Sequence, residues 1–99
     1  MLNITKEQNG GVEFIILEGR LDTNTAPTLE DEIKDSLEGI SELVFDLSRL
    51  EYISSAGLRV LLTTQKAMNK QGNMVVKNVS PAIMEIFEVT GFSDILTID

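Results

Sequence analysis

The run Leu43–Leu47, LVFDL, limits the possible folds more than any other segment of this chain. It is short, and every residue in it except Asp46 is large and apolar. Such a nearly continuous apolar run is typical of a strand that is covered on both faces, as in a parallel sheet. Because parallel strands need crossover connections, which are usually helices, the run predicts strands that alternate with helices along the chain.

Other predicted strands lie on both sides of this run. Leu2–Gln8 alternates apolar and polar residues, as an edge strand with one wet face does. Asn9–Gly11 is a turn signal and Val12–Glu18 is a more apolar strand, so the two strands should form a hairpin. Gly19–Asp22 breaks the strand pattern, and Ser48–Leu50 is interpreted as a connection after the apolar run. Two further strands are predicted, at Met74–Val79 and Asp94–Ile98.

Three helices are predicted between these strands. The first covers Thr25–Leu37, with Asn24 or Thr25 as its cap, Pro27 in the first turn and Gly39 as the stop. The other two are predicted from Ser54 or Ser55 to about Lys70, and from Ser80-Pro81 to Gly91.

The resulting order, β-β-α-β-α-β-α-β, predicts an α/β fold with a mostly parallel sheet. A chain of 99 residues is too short to divide into two pieces that each bury a core. We therefore expect a single domain that spans residues 1–99.

The composition excludes several functions. The net charge of −8 argues against a nucleic acid or an anionic membrane as partner but permits a basic protein. Because the chain has no cysteine and no histidine, it cannot form disulfides, thiol nucleophiles, Cys/His zinc sites or a Ser-His-Asp triad. The longest run of large apolar residues, Phe14–Leu17, is far shorter than the roughly 20 residues that cross a bilayer. The N-terminus also lacks the features of a signal peptide. We expect a cytoplasmic protein without a cofactor.

The predicted start of the second helix is the most informative site. Ser54, Ser55, Ala56 and Gly57 are small and leave the helix terminus uncovered. Such a terminus has four backbone N–H groups without partners and a positive dipole end, which favour an anion or a phosphate attached to a serine. The simplest alternative is that a serine here only caps the helix. Gly57 would cost about 1 kcal/mol relative to alanine, so close packing or the close approach of a partner must justify it.

An enzymatic role for these serines is disfavoured. No histidine can act as a base, and the site has neither a G-x-S-x-G elbow nor an S-x-x-K pair. The Gly10-Gly11 pair is not followed by the Lys-Ser/Thr of a phosphate-binding loop. We therefore do not expect an enzyme.

Three segments in order, GRLDTNTAPTLE, LVFDLSRLEYISSAGLRVLL and SPAIMEIFEVTGF, resemble the STAS domains of bacterial anti-sigma factor antagonists. The resemblance covers essentially the whole chain. It implies a mixed sheet of four or five strands with helices mainly on one side. It also implies binding to an anti-sigma factor, commonly a serine kinase that uses ATP, and reversal by a PPM-type serine phosphatase. The unphosphorylated antagonist would hold the anti-sigma factor and free the sigma factor for transcription, and the phosphorylated antagonist would let go.

The resemblance also assigns roles to residues. The serine two places before the Gly57-Leu58 pair is Ser55, which would be phosphorylated, with Ser54 as a second candidate. Asp22 lies in a loop that the family places beside this site, where its carboxylate could contact the kinase, although a loop or cap residue is the alternative. The partner-binding residues implied in this way are Asp22, Thr23, Asn24, Ser54, Ala56, Gly57 and Arg59.

Three features depart from the family pattern. Ser54 stands where many members have aspartate, and Arg59 stands where the best-known members often have glycine. The sequence stops just after the last predicted strand, where members of the family usually continue into a C-terminal helix. Arg59, one turn after Ser55, could reach a phosphate on that serine, although a solvated arginine is the alternative. A second function stays open, since STAS domains also serve in sensory complexes and as subunits of membrane lipid transporters.

Overall fold

A computed structural model describes residues 1–99 and contains four strands and three α-helices. The helices α1 and α2 follow the strands β2 and β3, and α3 follows β4. A 3₁₀ turn ends the chain's regular structure. The elements are β1 (Leu2–Asn9), β2 (Val12–Leu21), α1 (Ala26–Ser36), β3 (Glu42–Ile53), α2 (Ser55–Asn69), β4 (Asn73–Lys77), α3 (Pro81–Thr90) and the 3₁₀ turn (Phe92–Asp94).

The strands form one mixed sheet in the order β1-β2-β3-β4. β1 pairs with β2 in antiparallel fashion from Leu2↔Gly19 to Asn9↔Val12, which confirms the predicted hairpin. Gly10 takes a left-handed conformation in its turn, with φ of 64°. β2 pairs with β3, and β3 with β4, in parallel fashion. The apolar run LVFDL therefore lies in an inner strand with a parallel neighbour on each side, in agreement with the predicted mostly parallel sheet.

The core lies on one face of the sheet. Leu43, Phe45 and Leu47 of β3 are fully buried, and they belong to one cluster of 21 buried residues to which all three helices contribute. On the opposite face Phe14 keeps 39% of its surface exposed, because no helix packs there. The helices thus lie on one side. Helices cover LVFDL on one face only, but Val44 on the opposite face is also buried, with 8% exposure, so the expected burial of the apolar residues on both faces is found.

Two strands run further than their sequence pattern indicated. β2 continues through Gly19–Leu21, which was predicted to break the strand, and β3 continues through Ser48–Leu50, which was predicted to be a connection. The two extensions pair with each other, from Glu18↔Arg49 to Leu21↔Ile53. Irregularities in the register interrupt the alternation of apolar and polar residues, and this explains why the extensions resemble loops in sequence.

The last predicted strand, Asp94–Ile98, is not formed. Asp94 belongs to the 3₁₀ turn that follows Gly91, which has φ of 82° and ends α3. Only one isolated parallel bridge, Val76↔Ile98, joins the terminal segment to β4. The Val76 N–H donates to the Thr97 carbonyl at 2.8 Å, so this segment covers part of the outer edge of β4 without becoming a fifth strand.

Candidate functional site

The ends of β2 and β3 bring together the two segments that the sequence singled out. Leu21 and Ile53 are register partners at the carboxyl end of this parallel pair. The Ser54 N–H donates to the Leu21 carbonyl at 2.9 Å, so the chain leaves both strands at the same edge of the sheet. The loop that begins at Asp22 and the start of α2 at Ser55 are therefore neighbours, as the resemblance implied.

The two serines have different positions. Ser54 has an extended backbone (φ −97°, ψ 175°), and its hydroxyl accepts a hydrogen bond from the Gly57 N–H at 3.4 Å. It is therefore the N-cap of α2, and its side chain is half-buried. Ser55 is the first residue of the helix and is exposed. Of the two caps that the sequence left open, the structure selects Ser54, and the Ser55 hydroxyl stays accessible.

Close packing accounts for Gly57. The residue is buried, and a Cβ atom added to it would lie 2.7 Å from Cγ of Leu21 and 2.9 Å from Cγ1 of Ile53. These distances are shorter than any ordinary carbon–carbon contact, so α2 approaches the strand ends more closely than an alanine would allow. Of the two explanations left open for Gly57, close packing and the close approach of a partner, the geometry supports close packing.

The turn before α1 is organised by Asp22. Its Oδ1 accepts from the N–H groups of Asn24 at 3.0 Å and Thr25 at 3.1 Å, and its carbonyl accepts from the Ala26 N–H at 2.8 Å. Thr25 holds the N-cap position of α1, but its side chain makes no capping bond to the helix. Its hydroxyl instead donates to the Arg20 carbonyl at 2.9 Å. Thr25, one of the two predicted caps, thus occupies the N-cap position, but the free N–H groups of this turn donate to Asp22 and not to the Thr25 side chain.

The Asp22 carboxyl is held in its charged form. Partial desolvation raises its pKa, but hydrogen bonds from the N–H groups of Thr25 and Asn24 and from the Thr25 hydroxyl outweigh this effect. The positive charge of Arg20 adds to the lowering, so the pKa of Asp22 lies below its usual value. The site therefore presents a fixed negative charge beside the start of α2.

Arg20 and Tyr52 extend the site and were not singled out from the sequence. The Arg20 guanidinium lies 4.3 Å from the centroid of the Tyr52 ring, and its Nε is 4.0 Å from Oδ2 of Asp22. The two residues are cross-strand neighbours. The signal that could have found them is this pairing, which becomes visible only when both strands are extended to their full length.

A small cleft separates the beginnings of the two helices. Its volume is about 160 Å³, and it is lined by Thr23, Ala26, Pro27 and Glu30 on one side and by Ala56, Arg59 and Val60 on the other. The structure thus brings Thr23, Ala56 and Arg59 together beside Ser55. Arg59 is exposed and forms no ion pair, so its guanidinium is free to meet an anion.

The chemistry of this arrangement is that of an exposed serine hydroxyl on a helix N-terminus. No group of three or more aspartate or glutamate side chains is placed to hold a metal ion. None of the helices combines the length and the apolar character that a bilayer crossing would need. An anion attached to Ser55 would meet the free N–H groups and the positive dipole end of α2, an arrangement that favours negative charge.

Comparisons with known proteins agree with this fold. A family model described as the STAS domain matches residues 3–99. The chain is 35% identical to BtrV of Bordetella bronchiseptica, provisionally named an anti-sigma factor antagonist, over 98% of this chain and 85% of that protein. It is 30% identical to the anti-sigma-B factor antagonist of Bacillus subtilis, over 98% of this chain and 90% of that one. The crystal structure of an anti-sigma factor antagonist from Mycobacterium paratuberculosis superposes with a TM-score of 0.90 at 28% identity, covering 99% and 85% of the two chains.

Proposed function

The chain belongs to the STAS domain family, and on that premise we propose that it is an anti-sigma factor antagonist that phosphorylation of Ser55 switches off. It acts by binding and not by catalysis. The unphosphorylated form binds an anti-sigma factor with serine kinase activity in the cytoplasm and frees the sigma factor. A PPM-type serine phosphatase restores this form after phosphorylation.

The observation that carries the proposal is the position of the Ser55 hydroxyl. It is exposed on the first residue of α2, where a kinase can reach it without unfolding the domain. Ser54 is the poorer acceptor, because it is half-buried and its hydroxyl already caps the helix. Ser55 is therefore the phosphorylation site and Ser54 its structural neighbour.

The surroundings of Ser55 explain how a phosphate would end binding. Phosphorylation adds about 1.5 to 2 negative charges and three acceptor oxygens. In the free protein these oxygens are stabilised by the start of α2 and by solvent, so the fold does not change. Within an interface the phosphate would have to be desolvated beside the fixed charge of Asp22. Since each 1.4 kcal/mol is about tenfold in affinity, a penalty of a few kcal/mol abolishes binding.

The remaining predicted contacts surround this serine. Thr23 and Asn24 are exposed in the turn before α1, Ala56 lies on the first turn of α2, and Arg59 lies one turn after Ser55. A partner that covers Ser55 would touch both groups, because the two helix starts lie side by side at the ends of β2 and β3. Asp22 acts mainly by shaping this turn, and Gly57 by letting α2 approach the strands.

Phosphorylation and binding are tested with the same set of variants. The wild type, Ser55→Ala and the matched control Ser54→Ala are incubated with ATP and each anti-sigma factor kinase of the same organism, and the products are mapped by mass spectrometry. We expect one phosphate on the wild type and on Ser54→Ala, and none on Ser55→Ala. The phosphorylated wild type should no longer bind the kinase in a pull-down. Absence of modification at both serines with every kinase, together with co-purification with a transporter ATPase, would instead support the alternative role as a transporter subunit.

A further inference from the structure

Tyr52 is the exposed aromatic side chain that lies closest to Ser55 in the chain. It precedes Ser55 by three residues, near the end of β3, and 37% of its surface is exposed. Arg20 is its register partner on β2. Because Arg20 and Tyr52 alternate with the buried Leu21 and Ile53, their side chains lie on the face of the sheet that carries no helix. The carboxyl ends of β2 and β3 thus present an uncovered aromatic ring.

The Arg20 guanidinium is held over this ring and still has free donors. It lies 4.3 Å from the ring centroid, and this stacking restricts the long side chain before any partner arrives. Arg20 forms hydrogen bonds through its backbone, to Thr25 and Met1, and none through its guanidinium. The terminal N–H groups are therefore available to an acceptor on another molecule.

The fold does not depend on this guanidinium. The turn at Asp22 is already fixed by hydrogen bonds from the N–H groups of Asn24 and Thr25 to Oδ1. Oδ2 of Asp22 lies 4.0 Å from Nε of Arg20, which is too far for a hydrogen bond. An exposed ion contact of this kind adds little to stability. The stacked pair is therefore better suited to binding than to holding the turn.

The stack is continuous with the surface around Ser55. Arg20 contacts Asp22 in the turn before α1, and the Ser54 N–H donates to the Leu21 carbonyl at the start of α2. A partner that touches Ser55 and Asp22 together therefore reaches the stack without any change in the fold. Tyrosine and arginine are also the residue types that most often dominate the binding energy of protein interfaces.

The charges around the stack do not select a partner by its net charge. Anions and cations nearly balance at these strand ends and in the turn that follows, which carry Glu18, Arg20, Asp22, Arg49 and Glu51. Recognition must therefore be local. The planar edge of a guanidinium matches a carboxylate through two parallel N–H···O bonds, and the face of an aromatic ring matches an apolar side chain.

We propose that the stacked Arg20 and Tyr52 are the anchor through which the anti-sigma factor binds, with a carboxylate of the partner on the guanidinium and an apolar side chain on the ring. This inference rests on the proposed function and adds two contact residues that the family resemblance did not assign. It also gives the switch a source of repulsion. A phosphate on Ser55 brings negative charge towards the partner's carboxylate and weakens the same contact.

Substitutions that remove either half of the stack test the anchor. Arg20→Ala removes the guanidinium, and its control is Arg49→Ala, the same loss of charge at an exposed arginine of β3. Tyr52→Ala removes the ring, and its control Tyr52→Phe keeps it. Affinity for the anti-sigma factor of the same organism is measured by isothermal titration calorimetry, after circular dichroism has shown that each variant is folded. We expect both stack variants to weaken binding by about tenfold or more, and both controls to stay within about twofold of the wild type.

A chemical label tests the same contact without any substitution. Tyr52 is the only tyrosine of the chain, so nitration by tetranitromethane, mapped by mass spectrometry, reports on this ring alone. The free protein, its complex with the anti-sigma factor and the Ser55-phosphorylated protein mixed with the same factor are compared. We expect the complex to protect Tyr52, and the phosphorylated protein to be nitrated as fast as the free protein.

The outcomes separate the anchor from the proposed function. If the wild type binds, both stack variants bind equally well and the complex leaves Tyr52 open to nitration, the anchor is overturned and the proposed function stands. An Arg49→Ala loss as large as that of Arg20→Ala would assign the effect to net charge and also overturn the anchor. If the wild type binds no anti-sigma factor, the proposed function fails, and the inference fails with it. A homodimer in sedimentation that protects Tyr52 without any partner would show that a second copy covers the stack, which contradicts the inference.

Discussion

Replacing Gly57 with alanine tests whether the close approach of α2 to the strand ends positions Ser55, the proposed phosphorylation site. Two effects of this change oppose each other. Alanine is favoured over glycine in a helix by about 1 kcal/mol, and less in the first turn, where Gly57 lies. The added methyl group, however, would lie 2.7 Å from Cγ of Leu21 and 2.9 Å from Cγ1 of Ile53.

The steric effect should exceed the gain in helix propensity. Leu21 is fully buried and Ile53 is 3% exposed, so neither side chain can move into open space. The clashing atoms are also near the backbone and are not the flexible ends of these side chains. Overpacking of this kind costs about 1–3 kcal/mol. We expect Gly57→Ala to lower the free energy of unfolding by about 0.5–2 kcal/mol, the remainder after the gain in helix propensity.

Thermal and urea unfolding measure this loss directly. For a domain of this size, 1 kcal/mol lowers the melting temperature by about 4–8 °C. The displaced helix should also slow phosphorylation of Ser55, because the hydroxyl and the Ser54 cap move with the first turn of α2. The control is Ala56→Gly, which loses helix propensity at the neighbouring position without adding an atom near the strands.

A double-mutant cycle with Leu21→Ala decides whether the clash is the cause. In the Leu21→Ala background the Leu21 side-chain atoms that clash are gone and only the contact with Cγ1 of Ile53 remains, so Gly57→Ala should cost less, and the two changes should couple by about 1 kcal/mol or more. If Gly57→Ala is as stable as the wild type, or if its cost is unchanged in the Leu21→Ala background, the packing argument is refuted.

Three further changes test the neighbouring residues. Ser54→Ala should lower the free energy of unfolding by about 0.5–1 kcal/mol, because a cap is lost whose hydrogen bond is already long, and urea unfolding checks this. A stability loss above that range would mean that Ser54 does more than cap α2. Asp22→Ala should melt at a lower temperature than the wild type at pH 7, since the pKa of Asp22 is lowered in the folded protein. The stability that comes from this lowering is present above the ordinary aspartate pKa of about 3.9 and is lost as the pH falls through the lower folded value. The difference in melting temperature between the wild type and Asp22→Ala should therefore become smaller in acid. Asp31→Ala, at an exposed position of α1, is the control and should show no such narrowing. Arg59→Ala should lower the melting temperature of the Ser55-phosphorylated protein more than that of the unmodified protein, because only the phosphate engages the guanidinium. Equal shifts in the two forms would exclude that contact.

The parts of the fold that could be predicted are those with local signals. The cap of α3 followed from Ser80-Pro81, and the Ser80 hydroxyl accepts from the Ile83 N–H at 3.3 Å as such a pattern indicates. The hairpin followed from Asn9-Gly10-Gly11, since few other residues adopt the positive φ that its turn requires. These signals depend on neighbouring residues and not on the tertiary structure.

The features that were mispredicted depend on contacts between distant residues. β3 continues through Ser48 and Arg49 because β2 pairs with it there, and the sequence around these polar residues resembles a loop. Conversely, the residues after Asp94 have strand character, but they find only one bridge to β4 and remain irregular. The hydrogen bonds that Asp22 accepts have no capping pattern in the sequence, because they arise in a turn and not from the N-cap position of α1.

At the candidate site, the sequence separated Ser55 from Ser54 only through the family spacing to Gly57-Leu58. The structure supplies an independent reason, since one hydroxyl accepts a bond within the helix start and the other is exposed. Arg20 and Tyr52 could not be predicted, because their contact requires two strands whose extensions were not recognised.

The unequal lengths of the strands affect the mobility of the site. β3 pairs with β4 only from Glu42 to Asp46, and then runs on to Ile53 with β2 as its only strand partner. The part of β3 directly before Ser54 therefore forms a two-stranded ribbon with β2, past the end of the pairing with β4. Amide protons on the unpaired side of this ribbon should exchange with deuterium sooner than those of the paired segment. Exchange there is expected to slow when a partner binds, so the exchange rate of these amide protons would show whether the partner is bound.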